Sequence, residues 1–211
     1  LHPSSFILHP SLLWLAGGSA VVLCLAMTRQ QLGYWKDSEA LFRHTVAVTK
    51  GNYYAYNQLG SALGVKGKTE EATRQYREAV RIKPDYPQGR INFGLALGQE
   101  GRSDEAIVQL REGLRLDPNF LDGHYLLALA LVQNGQIDEG IREFKEALRV
   151  NPDHADTHND LGLALGQKGK IDEAILHLQT AVRLKPDHAG THINLGVALS
   201  RKGQTDEAIR H

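Results

Sequence analysis

The sequence predicts an all-α, right-handed α-solenoid of helix-turn-helix repeats, preceded by one transmembrane helix. Three observations predict it. One phrase returns five times at a spacing of 34 residues, the apolar positions inside each copy fall at helical spacing, and an uncharged apolar run precedes the first copy. A fixed period of about 20–50 residues marks an array whose units bury their apolar faces only against their neighbours.

Taken in order, residues 1–10 contain LHPSS and the start of LHPSL, seven residues apart, with two prolines that break any helix. This is low-complexity sequence and is expected to be disordered. Leu1 stands where an initiator methionine would, which reads as a fragment of a longer protein. From Ser11 to Thr28 no residue is formally charged, and Leu12 to Met27 reads LLWLAGGSAVVLCLAM. The run is slightly shorter than the roughly 20 residues that span a bilayer, but Phe6 to Leu8 lengthens it. Leucine, valine and alanine occupy all sides of the helix rather than one stripe, and Arg29, Tyr34, Trp35 and Lys36 supply an interfacial flank. The expectation is a membrane-spanning helix over 11–32, with membrane contact through Leu12 to Met27. A buried amphipathic helix is the competing reading. A secretory signal is disfavoured, since no basic residue precedes the run. Arg29, Lys36, Arg43 and Lys50 follow it, which by the positive-inside rule favours a cytoplasmic array.

Counting the register back from Ser19 puts Gly33 at an inter-helix glycine and Phe42 at an aromatic mark, so residues 33–52 form a degenerate half-repeat. Full copies follow at 53–86, 87–120, 121–154 and 155–188, with a truncated one at 189–211. Each carries a large apolar mark (Leu59, Phe93, Leu127, Leu161, Leu195), a small neighbour (Gly60, Gly94, Ala128, Gly162, Gly196) and a leucine (Leu63, Leu97, Leu131, Leu165, Leu199). Ala72, Ala106, Gly140, Ala174 and Ala208 come next, then Tyr76, Leu110, Phe144 and Leu178, and finally Pro84, Pro118, Pro152 and Pro186.

Between the two helices of each copy stand Gly67, Gly101, Gly135, Gly169 and Gly203, where a helix must end in the left-handed region. Thr69, Ser103 and Thr205 are then expected to cap the second helix, while Ile137 and Ile171 cannot. Glu70 and Glu71, and their counterparts in each later copy, open the second helix, and Arg81, Arg115, Arg149 and Arg183 close it, in accord with the helix dipole. Their recurrence makes them structural rather than acid/base dyads. The second helix of the last copy is short, so fraying is expected from about Gly203 onward.

This order of marks resembles the tetratricopeptide repeat, from Tyr53 to His211. The stretch from Arg29 to Gly60, with YWKDSEALF at its centre, resembles the junction in membrane proteins of the protein O-mannosyltransferase type. That resemblance implies a carboxyl-terminal, substrate-recruiting part of a glycosyltransferase whose catalytic part is not in this sequence, and it implies repeats on the lumenal or periplasmic side.

Function is sought on the first helices, which line the concave face of such an array. The residue before the large mark is Gln58, Asn92, Leu126, Asp160 or Asn194. A side-chain amide there can donate and accept, and so can hold a peptide backbone without reading its side chains. The repeats of the O-linked N-acetylglucosamine transferase family are similar and carry an asparagine ladder at this place; Leu126 interrupts it here. Gln58, Asn92, Asn159, Asp160 and Asn194 are the candidate groove residues, with a peptide or protein as partner. Asn92 and Asn194 are expected to be solvated and dispensable for stability. The preceding positions, Asn57, Ile91, Tyr125, Asn159 and Ile193, hold no lysine, which argues against a clamp for a terminal carboxylate.

Other classes are disfavoured. The chain has 24 basic and 24 acidic residues and a pI near 7.3, so no global field recruits nucleic acid. Cys24 is the single cysteine and builds no disulfide framework. His154 with His158, and His188 with His192, have the i, i+4 spacing of metal ligands beside Asp153 and Asp187, but they recur with the repeat, and a closed site needs three or four converging groups. No cofactor, metal or small-molecule substrate is expected, and no catalytic set is present in the sequence.

Overall fold

The computed structural model describes residues 37–209, and among these it contains eleven helices and no strand. The expected membrane-spanning segment over 11–32, the low-complexity stretch 1–10, and residues 33–36 of the half-repeat, Gly33 included, lie outside the described residues. Among the described residues no helix is long and apolar enough to cross a membrane.

Helix α1 (Ser38–Val48) leads into α2 (Tyr53–Val65) and α3 (Thr69–Ile82), then α4 (Pro87–Gln99) and α5 (Ser103–Leu116). The pairs α6 (Leu121–Gln133) with α7 (Ile137–Val150), and α8 (Ala155–Gln167) with α9 (Ile171–Leu184), follow. Last come α10 (Ala189–Arg201) and the short α11 (Thr205–Ala208), which contains no buried residue.

One turn joins every pair. Gly67, Gly101, Gly135, Gly169 and Gly203 have φ of +74°, +76°, +79°, +74° and +84°, a region that a Cβ would strain. Across each glycine a backbone N–H reaches back five residues: Lys68 to the Leu63 carbonyl at 3.0 Å, and Gln136 to the Leu131 carbonyl at 2.8 Å. This closes the first helix and satisfies a carbonyl that would otherwise be orphaned.

The same turn corrects the expected caps. Thr69, Ser103 and Thr205 are each the first residue inside their helix, and the cap positions are Lys68, Arg102, Gln136, Lys170 and Gln204, none with a side-chain cap bond. The turn is so short that the residue closing one helix also opens the next, and the hydroxyls arrive one position late. What favours these helix starts is the acidic pair in each first turn, such as Glu70 and Glu71. First helices fare differently. Asn52, His154 and His188 accept from the backbone N–H three residues on, and so cap α2, α8 and α10.

The core is a strip rather than a globule. Leu63, Ala79, Ala106, Leu161, Leu165 and Ala174 are inaccessible to solvent, and Tyr76, Leu110, Phe144 and Leu178 are buried in the second helices. Small residues let the paired helices approach closely. A Cβ at Gly60, Gly94 or Gly162 would lie within 2.6–2.7 Å of Tyr76, Leu110 or Leu178. In the third copy Ala128 occupies that place, and the glycine moves to the facing helix as Gly140, where a Cβ would meet Val132 at 2.5 Å. The volume is conserved by exchange between the two helices.

The backbones of successive first helices approach one another (α2 with α4, α4 with α6, α6 with α8, α8 with α10), whereas among the described residues those of the second helices stay apart and meet only through long side chains, as Arg111 meets Glu139. The first helices are therefore the inner layer of a curved stack, and their exposed sides form its concave face.

Candidate functional site

All five candidate residues lie on this inner layer, and the structure joins them in a pattern the 34-residue register does not display. The amide of Asn92 donates to the carbonyl of Asn57 at 3.0 Å, the hydroxyl of Tyr125 donates to Asp160 at 2.8 Å, and the amide of Asn194 donates to the carbonyl of Asn159 at 2.9 Å. Each bond links residues 35 apart, one repeat plus one position. Two neighbouring rows of the first helices thus close hydrogen-bonded rungs across three of the four repeat boundaries. The rung that would join Ile91 to Leu126 is apolar, with Ile91 buried, so the ladder divides into two polar clusters.

In the first cluster, Gln88 donates to Asn92 at 2.9 Å and Gln58 donates to the hydroxyl of Tyr54 at 3.0 Å. Asn57 is 2% exposed and depends on Asn92 for its carbonyl bond. The second cluster runs unbroken from Tyr125 to Asp160 to Asn159 to Asn194, Asn159 donating to Asp160 at 2.9 Å. Burial pushes the Asp160 carboxyl above its ordinary range, against the lowering effect of its bonds from Tyr125 and Asn159. Burial, with the adjacent Asp160 charge, also raises the Tyr125 phenol.

The expectation that Asn92 and Asn194 are merely solvated is corrected, since both tie one repeat to the next. They keep capacity for a ligand. An amide nitrogen carries two N–H groups, and each of these two amides gives only one to the ladder. Asn57, Tyr125 and Gln88 are members that reasoning at a single register position misses; comparing positions 35 apart would have found the first two.

The histidines have structural roles. His154 and His188 are the caps described above, and each also bonds the hydroxyl of Thr157 or Thr191, at 2.6 and 2.8 Å. His124, His158 and His192 each bond the carbonyl of the proline six residues earlier, at 2.8–3.0 Å. His124 also meets Glu143 at 2.7 Å, and His158 meets His177 at 2.9 Å. Among the described residues no three ligating side chains gather where a metal ion could be held. The acidic residues considered as dyads are exposed or half-buried, and several lie in ion pairs, such as Glu105 with Arg102 and Glu139 with Arg111.

A stack of helical hairpins with a hydrogen-bonded polar ladder along its inner layer defines a helical-repeat protein with an amide-lined groove. Family models narrow the class: the tetratricopeptide repeat matches residues 125–189 and 159–211, and the TPR repeat matches 60–101 and 94–135. The chain belongs to the tetratricopeptide-repeat family. Among curated proteins it is similar to Protein O-mannosyl-transferase Tmtc3 of Drosophila melanogaster, 34% identical over 87 residues covering 39% of this chain and 9% of that protein. Protein O-mannosyl-transferase F38B6.6 of Caenorhabditis elegans is 29% identical over 68 residues, covering 32% and 10%. The chain thus spans about a tenth of the length of these relatives.

Solved structures share the fold. MamA 41-end from Desulfovibrio magneticus RS-1 superposes with a TM-score of 0.71 at 24% identity, covering 77% of this chain and 92% of that one. YrrB, described as a TPR protein with an unusual peptide-binding site, superposes with a TM-score of 0.67 at 21% identity, covering 80% and 87%.

Proposed function

We propose that this chain is a non-catalytic interaction scaffold that holds an extended polypeptide along the inner face of its repeats and is anchored to a membrane through Leu12 to Met27. The observation that carries the reading is the amide ladder, which places Asn92 and Asn194 on the inner layer with an N–H each to spare. Groups of this kind grip a peptide backbone, which presents a donor and an acceptor at almost every residue. The peptide-binding site named for YrrB belongs to a protein of the same fold and is consistent with this use.

The test is a peptide-array or pull-down comparison of the full chain with Gln58→Ala, Asn92→Ala and Asn194→Ala. Each lost neutral hydrogen bond should weaken capture by about 0.5–1.5 kcal/mol. Binding that survives all three replacements unchanged places the partner elsewhere. For the anchor, the full chain should partition into detergent or vesicles; its recovery as a monomer free of detergent would refute a spanning segment.

A second reading is favoured by one specific observation: the curated relatives named above are protein O-mannosyl-transferases. Here the repeats are the carboxyl-terminal, substrate-recruiting part of a membrane glycosyltransferase, facing away from the cytoplasm. Sequence upstream of Leu1 decides between them, since several further hydrophobic spans with acidic loop residues would establish the second.

A further inference from the structure

Three apolar sockets open on the inner face, each between two successive first helices. The first, about 280 Å³, has Ser61, Gly64 and Val65 on one wall and Asn92 and Leu95 on the other. The second, about 200 Å³, lies between Leu95 with Gly98 and Leu126 with Leu129. The last, about 200 Å³, lies between Leu163 with Gly166 and Asn194 with Val197. At the corresponding place between α6 and α8 the glycine is replaced by Val132, whose side chain packs against Gly140 and fills the space.

Packing within the array does not require the socket glycines. A Cβ at Gly64 would meet nothing within 4 Å, and one at Gly98 or Gly166 would meet only the Cβ of Ala106 or Ala174 at 4.0 Å. Glycine inside a helix is unfavourable relative to alanine. What glycine gives here is depth on a surface where Leu95, Leu163 and Val197 are already 38%, 41% and 50% exposed.

The charge of the groove restricts its occupant. Ser61, Leu95, Leu129, Leu163 and Val197 form one uncharged row along it, and Val65, Gln99, Gln133 and Gln167 form another that ends in Arg201, on the wall of the last socket. The ion pairs at the ends of the second helices, such as Arg115 with Glu112 and Arg149 with Glu146, belong to the outer layer. A charged side chain entering either of the first two sockets, whose walls carry no charged residue, would lose hydration without meeting an opposite charge. Packed helices lie about 8–10 Å apart. A polyproline-type extended chain advances about 9 Å in three residues and returns the same face to the groove.

We propose that the sockets take aliphatic side chains of an uncharged, extended partner segment at positions i, i+3 and i+9, the residue at i+6 facing Val132. This rests on the groove reading above and gives the ligand its chemical class: Asn92 and Asn194, each on a socket wall, hold the backbone, and the sockets select the side chains.

The experiment measures binding of the full chain to a fluorescent, uncharged, proline-rich peptide with leucine at i, i+3 and i+9. Glutamate at i and i+3, the positions that enter the two sockets with no charged wall, should lower affinity by at least about tenfold. The triple variant Gly64→Ala, Gly98→Ala, Gly166→Ala should melt about 2–4 °C higher per replacement and yet bind the leucine peptide at least about fivefold more weakly. Val132→Gly should make leucine at i+6 acceptable. Equal binding of the leucine and glutamate peptides, or full binding by the triple variant, overturns the proposal. If Asn92→Ala weakens binding while the triple variant does not, the groove reading stands and the sockets are idle. If the leucine peptide binds only after residues 1–36 are deleted, or competes with self-association of the chain, the occupant is the chain itself and the proposed partner is wrong.

Discussion

Two asparagines of similar appearance do unequal work. Asn57 is buried and its carbonyl is satisfied by Asn92, so Asn92→Ala removes the donor from a group that water reaches poorly. An unsatisfied buried polar group costs about 1–3 kcal/mol, and urea denaturation of Asn92→Ala should show a loss in that range. Asn194 donates to Asn159, which is only half-buried, so Asn194→Ala should cost less, under about 1 kcal/mol. Glycines show a similar contrast. Gly101, at φ +76°, should lose about 1–2 kcal/mol on replacement by alanine, because a Cβ there crowds its own backbone. The candidate residues could be chosen from sequence by chemistry, since amides at one register position stand out. Their hydrogen-bond partners could not, because a 35-residue rung depends on how one repeat is offset against the next.

At the scale of the helix, ionisable groups hold elements together with opposite responses to pH. His124 faces two acceptors, the Glu143 carboxylate and the Pro118 carbonyl, and only an imidazolium donates to both. The bond to Glu143 accordingly raises its pKa. Its contribution is complete below the unfolded value of about 6.5 and is lost as pH rises through the folded value. His177 is lowered by burial first, then by His158 and Lys145, with Glu173 opposing. The unfolded chain therefore takes up that proton first, and the contribution is present above about pH 6.5 and lost as pH falls. Urea denaturation should show His124→Gln costing more at pH 5.5 than at pH 7.5, and His177→Gln the reverse. Helix α1 is held by Glu39, whose carboxyl meets Lys66, Lys68 and Arg43 at 2.8–3.0 Å and is drawn down to about 2 by them, Lys66 first. That hold is complete above the unfolded value near pH 4.5 and is lost as pH falls toward 2. Glu39→Gln should lower hydrogen-exchange protection of α1 while leaving α8 unchanged. Helix positions themselves were legible from the 3.6-residue pattern. Their caps were misread because the turn is shorter by one residue than a hydroxyl cap needs.

At the scale of the molecule, stability passes from neighbour to neighbour. Leu161 is fully buried where α8 meets the second helices beside it, and Leu161→Ala should cost about 2–5 kcal/mol by chemical denaturation. The effect should fall off along the array, with hydrogen-exchange protection reduced most in α7 to α9 and little in α2 and α3. In the native chain α11, with no buried residue, should exchange faster than α9.

The sequence by itself determined the architecture. A 34-residue repetition of leucines, small residues and a turn glycine admits only a stack of helix pairs, because no single pair can bury its own apolar face. It also determined which side of each helix to inspect for function, since that side keeps its polar and apolar marks in register. Only the tertiary structure decided what those marks do: that Asn92 and Asn194 lock repeats together, that histidines serve as caps and carbonyl ligands, and that Gly64, Gly98 and Gly166 leave sockets where Val132 closes one. The reason is physical. Period and pattern are local properties of the chain, whereas hydrogen-bond partners and empty space are set by the offset between neighbouring units, which is settled only when they pack.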